Sequence, residues 1–327
     1  MSRVRFPTGS LILFKLIFIF SKGLLVCMAK LDEKTKGFLL VALSGALSGT
    51  IVFSGKVFST LGLSLFQIST LPFIFTLFFL LPFVLQKKFF PKKEHFLIIL
   101  FYGFVAAFAV FCQFGGVIFG ASVAVVVLLL YAQPLWTVII SKLFLKEKVN
   151  VWQYFACLLV LVGVFFLVDP ANLFASKSWL GVIVALIGGV FLSLWIILGS
   201  RASKKGVSPF SLKFFETLIA LVITFLSYPV WLLLSSDLNV VAFSLVLPLW
   251  LWGVLIVYNI FSYTLNHLIY YAGSKRISTV NAGILMLLEP IVGVILSVIF
   301  LAQPLTFPVI VGGVLILTGN VLVITRG

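Results

Sequence analysis

The stretch ASVAVVVLLLYAQPLWTVIISKLFLKEKVNVWQYFACLLVLVGVFFLV, residues 121–168, meets a second version of itself 156 positions later, as ISTVNAGILMLLEPIVGVILSVIFLAQPLTFPVIVGGVLILTGNVLV, residues 277–323. Between 121 and 145, eight of the twenty-five residues are identical to their partners, among them Ser122 with Ser278, Pro134 with Pro290, Ser141 with Ser297 and Phe144 with Phe300. Outside that window Tyr102 matches Tyr258 and Gly163 matches Gly319. Apolar composition alone yields chance Leu and Val matches, but not aligned Pro, Ser, Gly and Tyr. At a shift near 145, Ser48 and Lys56 meet Ser193 and Arg201, which carries the likeness back to the start of each half. The chain is a duplication.

Each copy is apolar almost throughout, and so is the chain around it. Hydrophobic residues make up 62% of the 327 residues and charged ones 9%, with a mean hydropathy of +1.29. No water-soluble surface tolerates that, so the solvent is lipid and a pair of soluble domains is excluded. A membrane span needs about twenty mostly apolar residues. Apolar runs bounded by charges, Gly, Pro or Asn predict spans 1 to 5 at 37–58, 64–86, 95–118, 121–145 and 151–168. Spans 6 to 10 follow at 179–200, 210–235, 244–271, 278–301 and 304–325. The domains are therefore a segment 1–36, a first five-helix unit 37–169 and a second 178–325. Five is odd, so the second unit enters the bilayer upside down relative to the first. The predicted fold is all-α and integral to the membrane, with ten helices in two inverted repeats, the plan on which secondary transporters are built.

A net charge of +15 would suggest nucleic acid as partner in a soluble protein, but here the charges sit in every second loop. Lys87, Lys88, Lys92 and Lys93 form one group; Lys142, Lys146 and Lys148 the next; then Arg201, Lys204 and Lys205; then Lys275 and Arg276. With the amino-terminal segment, Lys213 and Arg326, 21 of the 23 basic residues fall on one side, leaving Lys56 and Lys177 on the other. By the positive-inside rule that side is the cytoplasm, both termini lie there, and the expected location is the plasma membrane. In the amino-terminal segment, Lys15 and Lys22 interrupt an apolar run from Ser10 to Met28. An interfacial amphipathic helix is one reading, and a functional start at Met28 is another. Cys27, Cys112 and Cys157 lack metal-ligand spacing and read as small packing residues. No metal or cofactor is expected. Membrane lipids and a small-molecule solute are the expected partners, together with a homodimer.

Of eight acidic residues, Glu216 and Glu289 fall within predicted spans, where an ionisable group is costly and marks a functional candidate. Glu289 precedes Pro290, which frees a carbonyl one turn back. It reads as a proton-titrating or amine-binding carboxylate, or as a carboxyl that pins the kinked backbone. Glu216, three residues after Lys213, reads as half of a local interfacial pair. Lys56 reads as a snorkelling cation or an anion contact. In span 8, Asn259, Tyr263, Asn266 and Tyr270 recur every three or four residues on one face, with Tyr258 and His267 beside them. Ser193 and Trp195 in span 6, Ser48, Tyr102 and Gln133 complete the candidate translocation residues. Phosphorylated solutes would need several interior Arg or Lys, which this set lacks. An amino acid or other neutral to zwitterionic solute fits it better. HExxH, GxSxG and phosphate-cradling Gly loops are absent from the sequence, so an enzyme is not expected.

The quoted segments resemble the drug/metabolite transporter superfamily, and specifically EamA-type permeases with two tandem EamA domains, over residues 37–325. The resemblance implies movement of metabolites such as amino acids through a cavity lined by spans 1, 3, 4, 6, 8 and 9, with spans 5 and 10 peripheral. Two positions depart from internal symmetry. The acidic residue after span 4 is Glu147 but its counterpart is Gln303, and Gln133 stands opposite Glu289. Flipping of a lipid or polyprenyl carrier on the same fold, and a non-transporting scaffold, are the rival readings.

Overall fold

The computed structural model describes residues 31–86, 89–121, 123–167, 179–302 and 304–326. The expectations placed on residues 1–30, and on Lys87, Lys88, Ser122, Lys177 and Gln303, lie outside them. The described residues are mostly helical, and none of them is in a strand. Lipid offers backbone groups no hydrogen-bond partners, so each span must satisfy its own.

Span 1 is α1 (Glu33–Thr60), span 2 is α2 (Leu65–Val84) and span 3 is α3 (Phe96–Ile118). Span 4 is two helices, α4 (Val123–Leu130) and α5 (Gln133–Phe144), and span 5 is α6 (Val151–Leu167). In the second half, span 6 is α7 (Trp179–Lys204) and span 7 is α8 (Pro209–Leu234). A short α9 (Leu238–Val241) precedes span 8, which runs through α10 (Leu249–Tyr258), a π-helical segment (Asn259–Leu265) and α11 (Asn266–Ser274). Span 9 is again two helices, α12 (Thr279–Leu285) and α13 (Leu288–Leu301), and span 10 is α14 (Phe307–Arg326). Nine of these spans are long and apolar enough to cross a membrane, and α6 supplies a tenth, shorter apolar helix. Span 1 begins four residues before its predicted start because Asp32 caps it, accepting from the Thr35 amide at 3.0 Å. Span 6 runs on to Lys204 and stops where Gly206 turns the chain at φ +80°.

Packing obeys the duplication. Span 1 packs on spans 8 and 9, as span 6 packs on spans 3 and 4; span 2 packs on span 8 as span 7 does on span 3. The pairs 2 with 7, 4 with 9 and 5 with 10 map onto themselves. They lie on a two-fold axis that, with an odd number of spans per half, runs in the plane of the bilayer. The backbone repeats in detail: among the described residues, Lys146 and Ala302, 156 apart, are the two non-glycine residues in the left-handed region, at φ 54° and φ 50°. Spans 5 and 10 pack chiefly on each other, through Gly163, Gly312 and Gly319, and flank spans 4 and 9.

At the end of the bundle that carries the Lys- and Arg-rich loops, hereafter the basic end, the halves are tied by Glu147. Its carboxylate accepts from the Thr279 amide at 3.2 Å and hydroxyl at 2.8 Å, capping α12, and pairs with Lys204 at 3.4 Å. Negative charge at a helix amino terminus satisfies free amides and complements the dipole. Glu147→Ala is expected to cost about 1 kcal/mol, seen as a lower unfolding midpoint in detergent, whereas Glu147→Gln keeps an acceptor and costs less. Equal losses in the two variants would show that charge, not capping, matters.

Candidate translocation site

Spans 4 and 9 break within one residue of equivalent places, at Tyr131–Ala132 and Met286–Leu287, each just before a proline in the first turn of the following helix, second in α5 and third in α13. A proline lacks the amide that would continue the ladder, so a duplicated Pro134 and Pro290 duplicate the interruption. The breaks put polar groups about midway through the bundle and aim them across the two-fold. The Gln133 amide donates to the Gly283 carbonyl at 2.7 Å, and the Tyr131 hydroxyl donates to Glu289 at 3.1 Å. Thr137 donates to Gln133 at 3.0 Å and lies 2.9 Å from the Ser193 hydroxyl. Glu289 is half-buried, and Tyr258 and Tyr263 lie within electrostatic range of it. Gln133, Thr137 and Ser193 therefore form one hydrogen-bonded chain and Tyr131 and Glu289 a separate pair, and these groups at the two breaks make the first cluster.

A second cluster joins spans 1 and 8. The Asn266 side chain donates to Ser48 at 2.8 Å and to the Ser262 carbonyl at 3.0 Å, and accepts from Ser44 at 2.5 Å. Asn259 donates to the Leu255 carbonyl at 2.7 Å, while its side-chain oxygen is buried without a hydrogen-bond partner among the described residues. The π-helical turn that begins at Asn259 is a known device for re-aiming side chains at functional sites. It rotates the predicted stripe so that its members reach different neighbours. Tyr258 and Tyr263 meet edge to face at 5.8 Å, and Asn266 turns to span 1.

The third cluster lies toward the basic end. Trp195 donates its indole N–H to Glu216 at 3.2 Å, stacks on Tyr270 at 5.3 Å and meets the edge of His267 at 5.1 Å. The hydroxyls of Tyr102 and Tyr271 lie 3.0 Å apart beside it. His267 donates from Nδ1 to the Tyr263 carbonyl. Glu216 pairs with Lys213 at 3.0 Å, as its spacing predicts, but the pair is not interfacial: both residues are only 2% exposed. Lys213, which alternation by loop assigns to the basic surface, is drawn inside because α8 begins at Pro209 and turns its first inward face onto spans 3, 6 and 8. Lys56 is exposed near the end of α1, away from all three clusters.

Tyr131, Tyr271, Thr137 and Ser44 escape the sequence reading. Tyr131 has Leu287 as its counterpart, so the repeat gives no hint of it, whereas the i, i+3 spacing of Lys213 and Glu216 within an apolar run was a readable signal.

Two inverted halves that meet at broken helices around polar groups define a multi-pass membrane transporter. The model of the EamA-like transporter family matches residues 35–169 and 179–325. The chain belongs to that family. An uncharacterized transporter of Clostridium kluyveri is 24% identical over 306 residues, covering 88% of this chain and 92% of its own. One of Archaeoglobus fulgidus is 26% identical over 224 residues, 68% of this chain and 74% of its own. The uncharacterized transporter YyaM of Bacillus subtilis is 26% identical over 225 residues, 68% and 69%. A crystal structure 16% identical in sequence superposes with a TM-score of 0.71 over 88% of this chain and 98% of the other, a likeness of fold.

Proposed function

We propose that the protein exports a small neutral or zwitterionic solute, an amino acid or a close relative, by alternating access. The observation that carries this reading is the pair of equivalent breaks in spans 4 and 9, where Tyr131 meets Glu289 and Gln133 meets Gly283 across the two-fold. Half-helices that end near the midplane leave groups free to bind solute, and two like halves give inward-facing and outward-facing states of similar energy. Glu289 is the acceptor for a solute ammonium or a coupling proton. Asn266, Ser48 and the tyrosines of span 8 set the geometry around it. The basic end faces the cytoplasm, with both termini there and the plasma membrane as the site of action. The working unit binds lipid at its flanks, forms a homodimer, uses no cofactor and binds no nucleic acid.

Counterflow of labelled amino acids in reconstituted vesicles tests the proposal. Glu289→Gln and Asn266→Ala are each expected to lower the rate by about tenfold or more, about 1.4 kcal/mol of lost stabilisation. Transport intact in both variants would remove the site assignment, and a wild-type protein that moves no metabolite would remove the function.

A further inference from the structure

Away from the three polar clusters, in the half of the bundle opposite the basic end, spans 2, 3 and 7, with Val240 of α9, line a partly open cavity of about 220 Å³. Four aromatic rings face it, those of Phe66, Phe108, Phe111 and Trp231, with Phe111 and Trp231 edge to face at 4.9 Å. Its hydroxyls are largely spent on their own helices. Ser69 donates to the Leu65 and Phe66 carbonyls, and Ser227 donates to the Thr224 carbonyl while accepting the Trp231 indole N–H at 3.1 Å. The residues that line it include no charged side chain.

We infer that this cavity binds the aromatic ring of a small solute. Size, polarity and position each bear on this. An engineered apolar cavity of about 150 Å³ stays dry and takes up benzene, so a space of about 220 Å³ admits one ring, up to a fused pair. It is smaller than the roughly 300–1,000 Å³ of sites that hold drug-sized ligands, too small for a whole acyl chain. A sugar or a phosphate would leave its polar groups unpaired there, at a cost of about 1–3 kcal/mol each. The cavity also continues the inward stripe of span 7, which climbs from Glu216 through Thr217 and Ala220 to Thr224, about 12 Å at 1.5 Å per residue. A solute seated there lies within the bundle and on the face that carries the buried ion pair. The inference rests on the transport reading for its purpose, and makes solutes with an aromatic side chain the preferred class.

Indole is the probe. Added to purified protein in detergent, it is expected to raise the unfolding midpoint saturably, while glucose and inorganic phosphate leave it unchanged. Ala107→Leu and Thr224→Leu each place extra carbon in the cavity, and each is expected to weaken indole binding at least tenfold. Two variants on different spans guard against one of them failing to fold. An indole effect of equal strength in wild type and both variants, no effect in wild type, or native mass spectrometry showing a phospholipid that both variants displace would each overturn the assignment. Vesicles separate the two readings. Amino-acid counterflow without indole binding removes the cavity assignment alone, and indole binding without counterflow of any solute removes the transport reading.

Discussion

Lys213→Met is expected to destabilise the protein by about 3–5 kcal/mol, because it leaves the Glu216 carboxylate buried without its counter-ion. The two side chains are 3.0 Å apart and both residues are 2% exposed, so neither solvent nor a headgroup is at hand to replace the missing partner. The attraction within such a pair roughly offsets the cost of desolvating it, and the net worth of an intact buried pair is therefore small. That argument makes a sharper forecast for the double variant. Lys213→Met with Glu216→Gln removes both charges, keeps an acceptor for the Trp195 indole, and is expected to recover to within about 1 kcal/mol of wild type. Unfolding midpoints in detergent, read for both single variants and the double, give the comparison. A Lys213→Met protein as stable as wild type would mean that the pair is hydrated in the membrane, against the burial described above.

Adjacent glycines in span 10 are expected to respond with opposite sign. A Cβ at Gly312 would stand 2.5 Å from the Gly163 carbonyl oxygen and 2.8 Å from the Leu167 amide, whereas one at Gly313 would meet nothing within 4 Å. Backbone atoms cannot step aside as a side-chain tip can, so Gly312→Ala must pry spans 5 and 10 apart. Overpacking of this kind costs about 1–3 kcal/mol, and Gly312→Leu should cost more and deplete folded protein in the membrane. Gly313→Ala keeps the interface and removes a flexible residue from a helix interior, a gain of up to about 1 kcal/mol. Close approach through small residues is how membrane helices associate when lipid gives them no hydrophobic drive. Two alanine variants of equal stability would show that spans 5 and 10 are not held at this distance.

The Gln133 and Glu289 pair illustrates how far sequence reading reaches into the site. Both are visible as polar residues before aligned prolines, and the breaks they flank follow from proline chemistry. Their partners are not visible. Gly283 offers a backbone carbonyl that any residue would supply, and Tyr131 has no counterpart in the other half, so neither carries a mark in the sequence. Asn266 shows the same limit: its inward placement follows from the stripe in span 8, but its bonds to Ser44 and Ser48 depend on how span 1 is rotated.

Membrane insertion is decided locally, since every stretch of about twenty residues must satisfy its own backbone and match the surrounding hydrocarbon. The sequence by itself therefore determined ten helical spans, their division into two homologous sets of five, and the opposite orientation that an odd count imposes. Which polar groups meet was decided only by the tertiary structure. Lys213 turning inward to Glu216, Tyr131 reaching Glu289 from 158 residues away and the ring-lined space between spans 2, 3 and 7 all depend on the rotation and tilt of helices against one another. Those angles are fixed by close packing among many side chains at once, and no single segment of the chain encodes them.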